Sequence, residues 1–265
     1  MKFFYIIVTV LFILGCGGGA TSRVVDSNIS DNNSSDNNSS ENNNSQVYKI
    51  MPLGDSITWD WNFDDTRTDA ERSGYRNYLW YKLEDVGFAT DFVGSRTTGG
   101  AIEPYFDGDN EGHEGWTSHK MADHIYGYLH ANAPDIILLY IGTNDMGTSV
   151  SGVEDILNEI ERFKNESGID ILVILALILS DAINPGIISE FNMNLNAMAQ
   201  DRIANGDNIV VVDMEHDANI TYNGPNNDFV DGIHPNDCGY EKMANVWFTA
   251  LTDLESPGID YADCK

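Results

Sequence analysis

Basic residues are scarce in this chain. It has 14 Lys and Arg against 42 Asp and Glu, a formal net charge of -28 at pH 7. Such a surface repels phosphate backbones and acidic polysaccharides at low salt. We therefore expect no nucleic-acid partner and favour a neutral substrate. Adaptation to a salty habitat explains the charge equally well.

The chain also lacks an apolar run of roughly 20 residues, the length that a membrane-spanning helix needs. Its N-terminus has the shorter run Phe3 to Leu14 after Lys2, which is typical of a signal peptide. The following Gly15 and Cys16 complete a motif that resembles the bacterial lipobox, in which a lipid is attached to the cysteine. The pattern of residues 1–16 therefore predicts that the protein is exported and held as a lipoprotein at the outer membrane or cell surface. An ordinary secretory signal with an incidental cysteine is the alternative.

Apolar residues are almost missing from Ser27 to Ser45, where Asn, Ser, Asp and Glu dominate. Such a segment cannot bury enough apolar surface to offset the entropy of ordering it. We expect a disordered tether over residues 17–45 and one domain over residues 46–265, since no repeat or second low-complexity break follows.

Cysteine is rare, with three in the chain. Cys16 is the lipid candidate, which leaves Cys238 and Cys264. These two could form a disulfide in an oxidising compartment. The sequence does not give the distance between them, so the pairing stays open.

Five apolar runs have strand character, and helical patterns lie between them. Nearly continuous runs are typical of parallel strands covered on both faces. The sequence therefore predicts an α/β fold: a three-layer, doubly wound sheet of five parallel strands with helices on both faces. The strands are predicted at Val47 to Leu53, Ala89 to Val93, Asp135 to Ile141, Ile169 to Ile178 and Asn208 to Met214. The helices are predicted at Gly74 to Val86, Val153 to Phe163, Ile187 to Ile203 and Tyr240 to Leu254.

Polar motifs follow several of these strands. The first strand runs into Gly54-Asp55-Ser56, so Ser56 is predicted to face the crevice at the carboxyl ends of the strands. A serine becomes a nucleophile when a histidine takes its proton and an acid fixes the histidine tautomer. Asp231 and His234, in Asp-Gly-Ile-His after the fifth strand, provide that pair. Taken alone, they would more often be a hydrogen-bonded loop pair.

Two more strand ends carry groups suited to an oxyanion hole. Gly94 ends the second predicted strand, and Asn144 follows the third in Gly-Thr-Asn-Asp. A backbone N–H at a glycine and an amide side chain are suitable donors. Each alone is more often a turn residue.

Gly-Asp-Ser, Gly, Gly-x-Asn-Asp and Asp-x-x-His, in this order, resemble the four blocks of the SGNH hydrolases, the GDSL esterase and lipase superfamily. The resemblance covers Val47 to Leu254 and implies a flavodoxin-like fold. It implies Ser56 as nucleophile, His234 as base and Asp231 as orienting acid. It also implies an oxyanion hole of Ser56, Gly94 and Asn144, with no required cofactor.

Further stretches narrow the resemblance: "SGYRNYLWYKL", "DFVGSRTTGG", "DGDNEGHEGWTSHKM" and "DGIHPNDCGYEKMANVW". They are similar to carbohydrate esterase family three, which includes acetylxylan esterases. The resemblance implies removal of O-acetyl groups from a polysaccharide such as xylan. We expect a monomer, although the sequence does not identify the oligomeric state. The family usually has a histidine before the Glu-Gly of its central loop, where this chain has Asn110.

The central loop and the segment after Ser56 contain candidate binding residues. Asp55, Trp59, His113 and Trp116 are candidates for substrate contacts, and Trp61 and Phe63 extend the possible aromatic platform. The alternative for these aromatic residues is packing of helix on sheet, and for Asp55 it is organisation of the turn. The oxygens of Asp107, Asp109, Asn110 and Glu111 suit a structural calcium ion, although such residues more often form an ordinary loop.

Two other functions remain open at this stage. A lipolytic esterase, aryl esterase or thioesterase of the same superfamily would prefer other esters and line its acyl pocket with apolar residues. An inactive carbohydrate-binding lipoprotein would have lost a triad residue, and this chain has lost none.

Overall fold

The computed structural model describes residues 46–181 and 183–254. The predicted signal peptide, Cys16, the tether and Cys264 lie outside these residues and stay predictions. No helix in the described ranges is both long and apolar enough to cross a membrane.

All five predicted strands are present, together with two that were not predicted. The strands are β1 Tyr48–Gly54, β2 Thr90–Phe92, β3 Arg96–Thr97, β4 Asp109–Gly112, β5 Ile136–Tyr140, β6 Leu172–Leu177 and β7 Ile209–Asp213. The sequences of β3 and β4, Arg-Thr and Asp-Asn-Glu-Gly, have no apolar run that could have revealed them.

The four predicted helices are present as well. The helices are α1 Ser56–Trp59, α2 Arg76–Asp85, α3 Ser118–Ala131, α4 Ser151–Ser167, α5 Pro185–Ala204, α6 Met214–Asp217 and α7 Asp237–Asp253, with a 3-10 turn at Asp69–Glu71. Helix α3 was not predicted, although its buried Met121, Ile125 and Leu129 recur at the spacing of one helix face.

The five predicted strands form a parallel sheet in the order β2-β1-β5-β6-β7. Strand β4 also pairs with β1 in parallel, and β3 pairs with β4 in the antiparallel direction. This confirms the predicted doubly wound fold, with seven strands instead of five. Because parallel crossovers are right-handed, the step from β1 to β2 puts α2 on one face. The crossovers from β4 to β5, β6 and β7 run in the opposite direction across the sheet, so they put α3, α4 and α5 on the other face. Helix α7 packs against α2.

The centre of the sheet is apolar on both faces. All of β5, Ile-Ile-Leu-Leu-Tyr, is buried, as are the inner residues of β1 and β6. Covered on both sides by helices, these strands show a continuous apolar run instead of an alternating one. The core fixes the strand register, and the register fixes which loops meet.

The carboxyl end of β1 is the meeting point of three loops. Gly54 pairs with Gly112 of β4 on one side and with Tyr140 of β5 on the other. The segments after these three residues therefore leave the sheet side by side. In open α/β sheets this edge is where ligands bind.

Glycine at position 112 allows α1 to sit directly on β4. A Cβ there would lie 2.6 Å from the backbone N of Trp59 and 3.0 Å from the carbonyl C of Thr58. These are backbone atoms, which cannot move away by a change of rotamer. The close approach thus fixes the position of α1, which begins with Ser56.

We expect Gly112→Ala to lower the free energy of unfolding by roughly 1–3 kcal/mol, because the methyl group pushes α1 off the sheet. Gly127→Ala is the matched control, since Gly127 is exposed in α3 with nothing within 4 Å of its Cβ position. It should raise the free energy by about 1 kcal/mol through helix propensity. Urea unfolding measures both, and a Gly112→Ala protein as stable as wild type would contradict the account.

Candidate active site

Ser56 lies at the start of α1, directly after β1. Asp55 caps this helix by accepting a hydrogen bond from the N–H of Ile57 at 3.0 Å. The N–H of Ser56 belongs to the first turn, where backbone donors have no partner within the helix. The turn therefore presents a hydroxyl and a backbone donor from one residue.

Three residues of the prediction form one hydrogen-bonded chain. Oγ of Ser56 lies 2.9 Å from Nε2 of His234, and Nδ1 of His234 lies 2.8 Å from Oδ2 of Asp231. A carboxylate at Nδ1 accepts the imidazole proton, which leaves Nε2 free to accept from the serine hydroxyl. The structure thus brings Ser56, His234 and Asp231 together in the order that serine activation requires.

Asp231 is surrounded by donors that favour its charged form. Partial burial alone would raise its pKa. The hydrogen bonds from the N–H and imidazole of His234 and from the N–H of Ile233 outweigh burial and hold the pKa of Asp231 below its usual value. The carboxylate is therefore ionised beside the imidazole at neutral pH.

Asn144 lies at the same edge, in the loop after β5. Its Nδ2 donates to the carbonyl of Trp116 at 3.0 Å, which joins this loop to the one after β4. An amide nitrogen has two hydrogens, so one remains for another acceptor.

Gly94, by contrast, does not lie at this edge, so the prediction that it belongs to the oxyanion hole is wrong. Phe92 of β2 pairs with Ile50, well before the end of β1, so Gly94 lies below the crevice. A Cβ at Gly94 would come within 2.1 Å of the carbonyl O of Asn110. Its glycine identity therefore reflects close packing of the segment after β2 against Asn110 of β4.

Gly115, in contrast, follows a strand that ends at this edge. It follows β4, one residue before Trp116, and the N–H of His113 in the same segment donates to the carbonyl of Gly54 at 2.9 Å. Gly115 has φ 71°, and nothing lies within 4 Å of its Cβ position. The sequence did not reveal Gly115, because Gly94 follows the second predicted strand in chain order. The strand register shows instead that the loop after β4 lies at the edge.

Of the four predicted substrate contacts, Trp59 and Asp55 are buried. Trp59 is 4% exposed, and the guanidinium of Arg96 covers its ring at 3.4 Å from the centroid. Asp55 is completely buried. The predictions that these side chains contact substrate are therefore wrong, and the alternatives of packing and turn formation hold.

His113 and Trp116 are held within a stack. The His113 ring lies 4.0 Å from that of Trp116 and 5.4 Å from that of Tyr128, nearly parallel to both, and its Nε2 contacts Oε1 of Glu111 at 2.5 Å. Lys120 lies over the Trp116 ring at 4.4 Å. These two residues brace the loop after β4 instead of offering free faces.

The candidate calcium ligands each serve a different partner. Asp107 accepts from the N–H of Phe92, Asp109 accepts from the Thr97 hydroxyl, Asn110 binds backbone on both sides, and Glu111 accepts from Ser95 and contacts His113. Among the described residues, no group of three or more His, Cys, Asp or Glu side chains could hold a metal ion. This arrangement favours the alternative that these residues form an ordinary loop.

Cys238, one of the two cysteines of the predicted disulfide, is exposed. Its candidate partner Cys264 lies outside the described residues, so the pairing stays a prediction.

Comparison with known proteins adds to this geometry. The profile of the family described as GDSL-like Lipase/Acylhydrolase matches residues 50–247, from β1 to α7. This chain belongs to that family. The sequence motifs predicted this family.

This GDSL protein is similar to two solved structures and to a curated protein. The family 3 carbohydrate esterase of Clostridium thermocellum is 28% identical, with a TM-score of 0.64, and the match covers 79% of this chain and 97% of that one. An acetyl esterase mutant crystallised with an acetate ion is 26% identical, with a TM-score of 0.63, covering 78% and 97%. A multidomain esterase of Ruminococcus flavefaciens is 29% identical over 231 residues, which are 77% of this chain and 28% of that protein. The chain thus spans about a quarter of the length of this last relative.

Asp55 differs from Asp231 in having few donors. Its Oδ2 has no hydrogen-bond partner among the described residues. Burial raises the pKa of Asp55 to about 7; the hydrogen bond from Ile57 and the nearby Thr143 hydroxyl oppose the rise, and Asp145 adds to it. Because Asp55 ionises more easily in the unfolded chain, its ionisation favours unfolding. Its contribution to the free energy of unfolding is therefore fully present below pH 3.8 and is lost as the pH rises toward 7.

We therefore expect Asp55→Asn to gain stability relative to wild type as the pH rises. The difference in the free energy of unfolding between the two proteins should grow by roughly 2–3 kcal/mol from pH 5 to pH 8. Urea unfolding at both pH values measures it, with Asp123→Asn, an exposed residue of α3, as control. A difference that does not change with pH would show that Asp55 is ionised in the fold throughout.

Proposed function

We propose that this GDSL esterase removes O-acetyl groups from a neutral polysaccharide such as xylan, through an acyl-enzyme on Ser56. The observation that carries the proposal is the hydrogen-bonded chain from Ser56 through His234 to Asp231, with distances of 2.9 and 2.8 Å. That chain supplies an activated hydroxyl and needs no further group to do so.

The reaction consists of two acyl transfers. Nε2 of His234 takes the proton of Ser56 while Oγ attacks the ester carbonyl, and Asp231 stabilises the resulting imidazolium. The C–O bond to the sugar then breaks, and His234 returns the proton to the leaving alkoxide. Water, deprotonated by His234, then attacks the acyl-enzyme. The bond between the acyl carbon and Oγ breaks, His234 returns the proton to Oγ, and acetate leaves.

The negative charge that develops on the carbonyl oxygen needs donors aimed at it. We assign these to the N–H of Ser56, the free amide hydrogen of Asn144 and the N–H of Gly115, which takes the role first assigned to Gly94. The supporting observation is that β1, β4 and β5 end side by side, and Asn144 is bonded to the loop of Gly115 through Trp116.

Two observations favour an acetylated carbohydrate. The structures reported above include a carbohydrate esterase and an acetyl esterase with acetate, each matching about four fifths of this chain. The net charge of -28 disfavours acidic polymers as substrates. Lipid anchoring of the exported protein through Cys16 is part of the same proposal, since polymeric substrates stay outside the cell.

A lipolytic esterase is the second candidate. Met146, two residues after Asn144, is 84% exposed, and such a side chain beside the oxyanion donors suits a longer acyl chain. The inactive lipoprotein alternative lacks a comparable observation, because all three triad residues are in contact.

Acetate release from acetylated xylan tests the proposal. We expect release by the wild-type protein and a loss of at least 1,000-fold in Ser56→Ala, which has no nucleophile. On 4-nitrophenyl esters of two to twelve acyl carbons, kcat/KM should fall steeply beyond acetyl.

Cleavage of long-chain esters without acetate release from xylan would replace the proposal with the lipolytic candidate. Turnover that persists in Ser56→Ala would contradict the acyl-enzyme mechanism itself.

A further inference from the structure

The segment Asp60–Ser73, which we call the clamped loop, is held beside the site by two arginines. Arg67 contacts both carboxylate oxygens of Asp60 at 2.9 Å and Asp65 at 2.8 Å. Arg72, almost completely buried, donates to the same Asp65 oxygen at 2.8 Å and to the carbonyl of Asp60 at 3.0 Å. Paired guanidinium and carboxylate groups with fixed geometry give this loop one conformation.

The clamped loop also begins in a fixed direction. Asp60 ends α1 in a left-handed conformation with φ 69°, and its Oδ2 accepts the N–H of Ser73 at 2.9 Å. The first and last residues of the loop are therefore joined. The residues between them, including Trp61 and Phe63, project from a closed ring of chain.

Phe63 is the part of this loop that touches the triad. Its N–H donates to Oδ2 of Asp231 at 3.3 Å, the oxygen that also binds the imidazole. Its ring stands edge to face on His234, with centroids 5.4 Å apart, and Trp61 packs against both rings. One residue thus contacts the orienting acid through its backbone and the base through its side chain.

Phe63 is nevertheless 64% exposed, whereas Trp61 is half-buried and Trp59 is buried. The arginine contacts of the clamped loop hold this large apolar side chain in contact with water, whereas a flexible loop could bury it. An immobilised aromatic ring loses little conformational entropy when a ligand stacks on it.

The mechanism determines which part of the ester lies there. His234 must protonate the departing alkoxide, so the alcohol portion lies beside Nε2, while the carbonyl oxygen lies toward Asn144. Phe63 borders His234, on the alcohol side. We propose that Phe63 is a specificity-determining residue whose exposed face stacks on the sugar ring that carries the acetyl group. This inference rests on the proposed function.

Kinetics on two acetyl esters of different alcohols test it. We expect Phe63→Leu, which keeps an apolar side chain against His234 but has no flat face, to lose roughly tenfold in kcat/KM on an acetylated xylooligosaccharide, mainly through KM. Its loss on ethyl acetate, whose alcohol has no ring, should be several-fold smaller. Phe63→Tyr keeps the ring and should restore the sugar ester reaction.

Tyr105→Ala is the matched control. Tyr105 is 75% exposed but lies in the loop between β3 and β4, away from the carboxyl ends of the strands, so both reactions should be unchanged. Equal losses of Phe63→Leu on both esters would overturn the inference and assign the ring to packing on His234. Wild-type turnover of ethyl acetate without any of the sugar ester would overturn the proposed function, and the inference with it.

Discussion

The hydrogen bond between Oγ of Ser56 and Nε2 of His234 joins groups 178 residues apart in the chain. No local sequence preference can hold atoms so distant to 2.9 Å. The sheet does so, because β1 and the loop before α7 are placed by the same buried core. Gly112 adds the closest constraint, since its missing side chain lets the backbone of α1 rest on β4. Everything that we assign to chemistry depends on this alignment of strand ends.

Two aspartates near the nucleophile show how surroundings decide the charge of identical side chains. Asp231 receives hydrogen bonds from three N–H groups and the imidazole, and its pKa is lowered. Asp55 is completely buried with one oxygen unpartnered, and its pKa is raised to about 7. Asp231 is therefore suited to orient the base as a permanent anion. Asp55 stabilises the turn below the serine, where burial disfavours the charged form of a carboxyl.

The strands and the triad could be predicted from the sequence because each depends on a local signal. Continuous apolar runs mark the buried strands, and Ser56, Asp231 and His234 follow strands in short motifs. The glycine that we assign to the oxyanion hole could not be predicted in this way. Gly94 and Gly115 both follow strands on the same side of β1, and only the register, with Gly54 opposite Gly112, shows which one reaches the edge. Exposure was equally hidden, since Trp59, Trp61 and Phe63 are similar residues in sequence but differ from buried to exposed in the structure.

Covalent labelling tests the central claim, an activated Ser56, without any choice of substrate. Incubation with a 4-nitrophenyl alkylphosphonate, followed by intact mass measurement and peptide mapping, reports which hydroxyl attacks. The account predicts one adduct per chain, on Ser56, that is absent from Ser56→Ala and forms far more slowly in His234→Gln. An unlabelled folded protein, or an adduct on another residue, would contradict it.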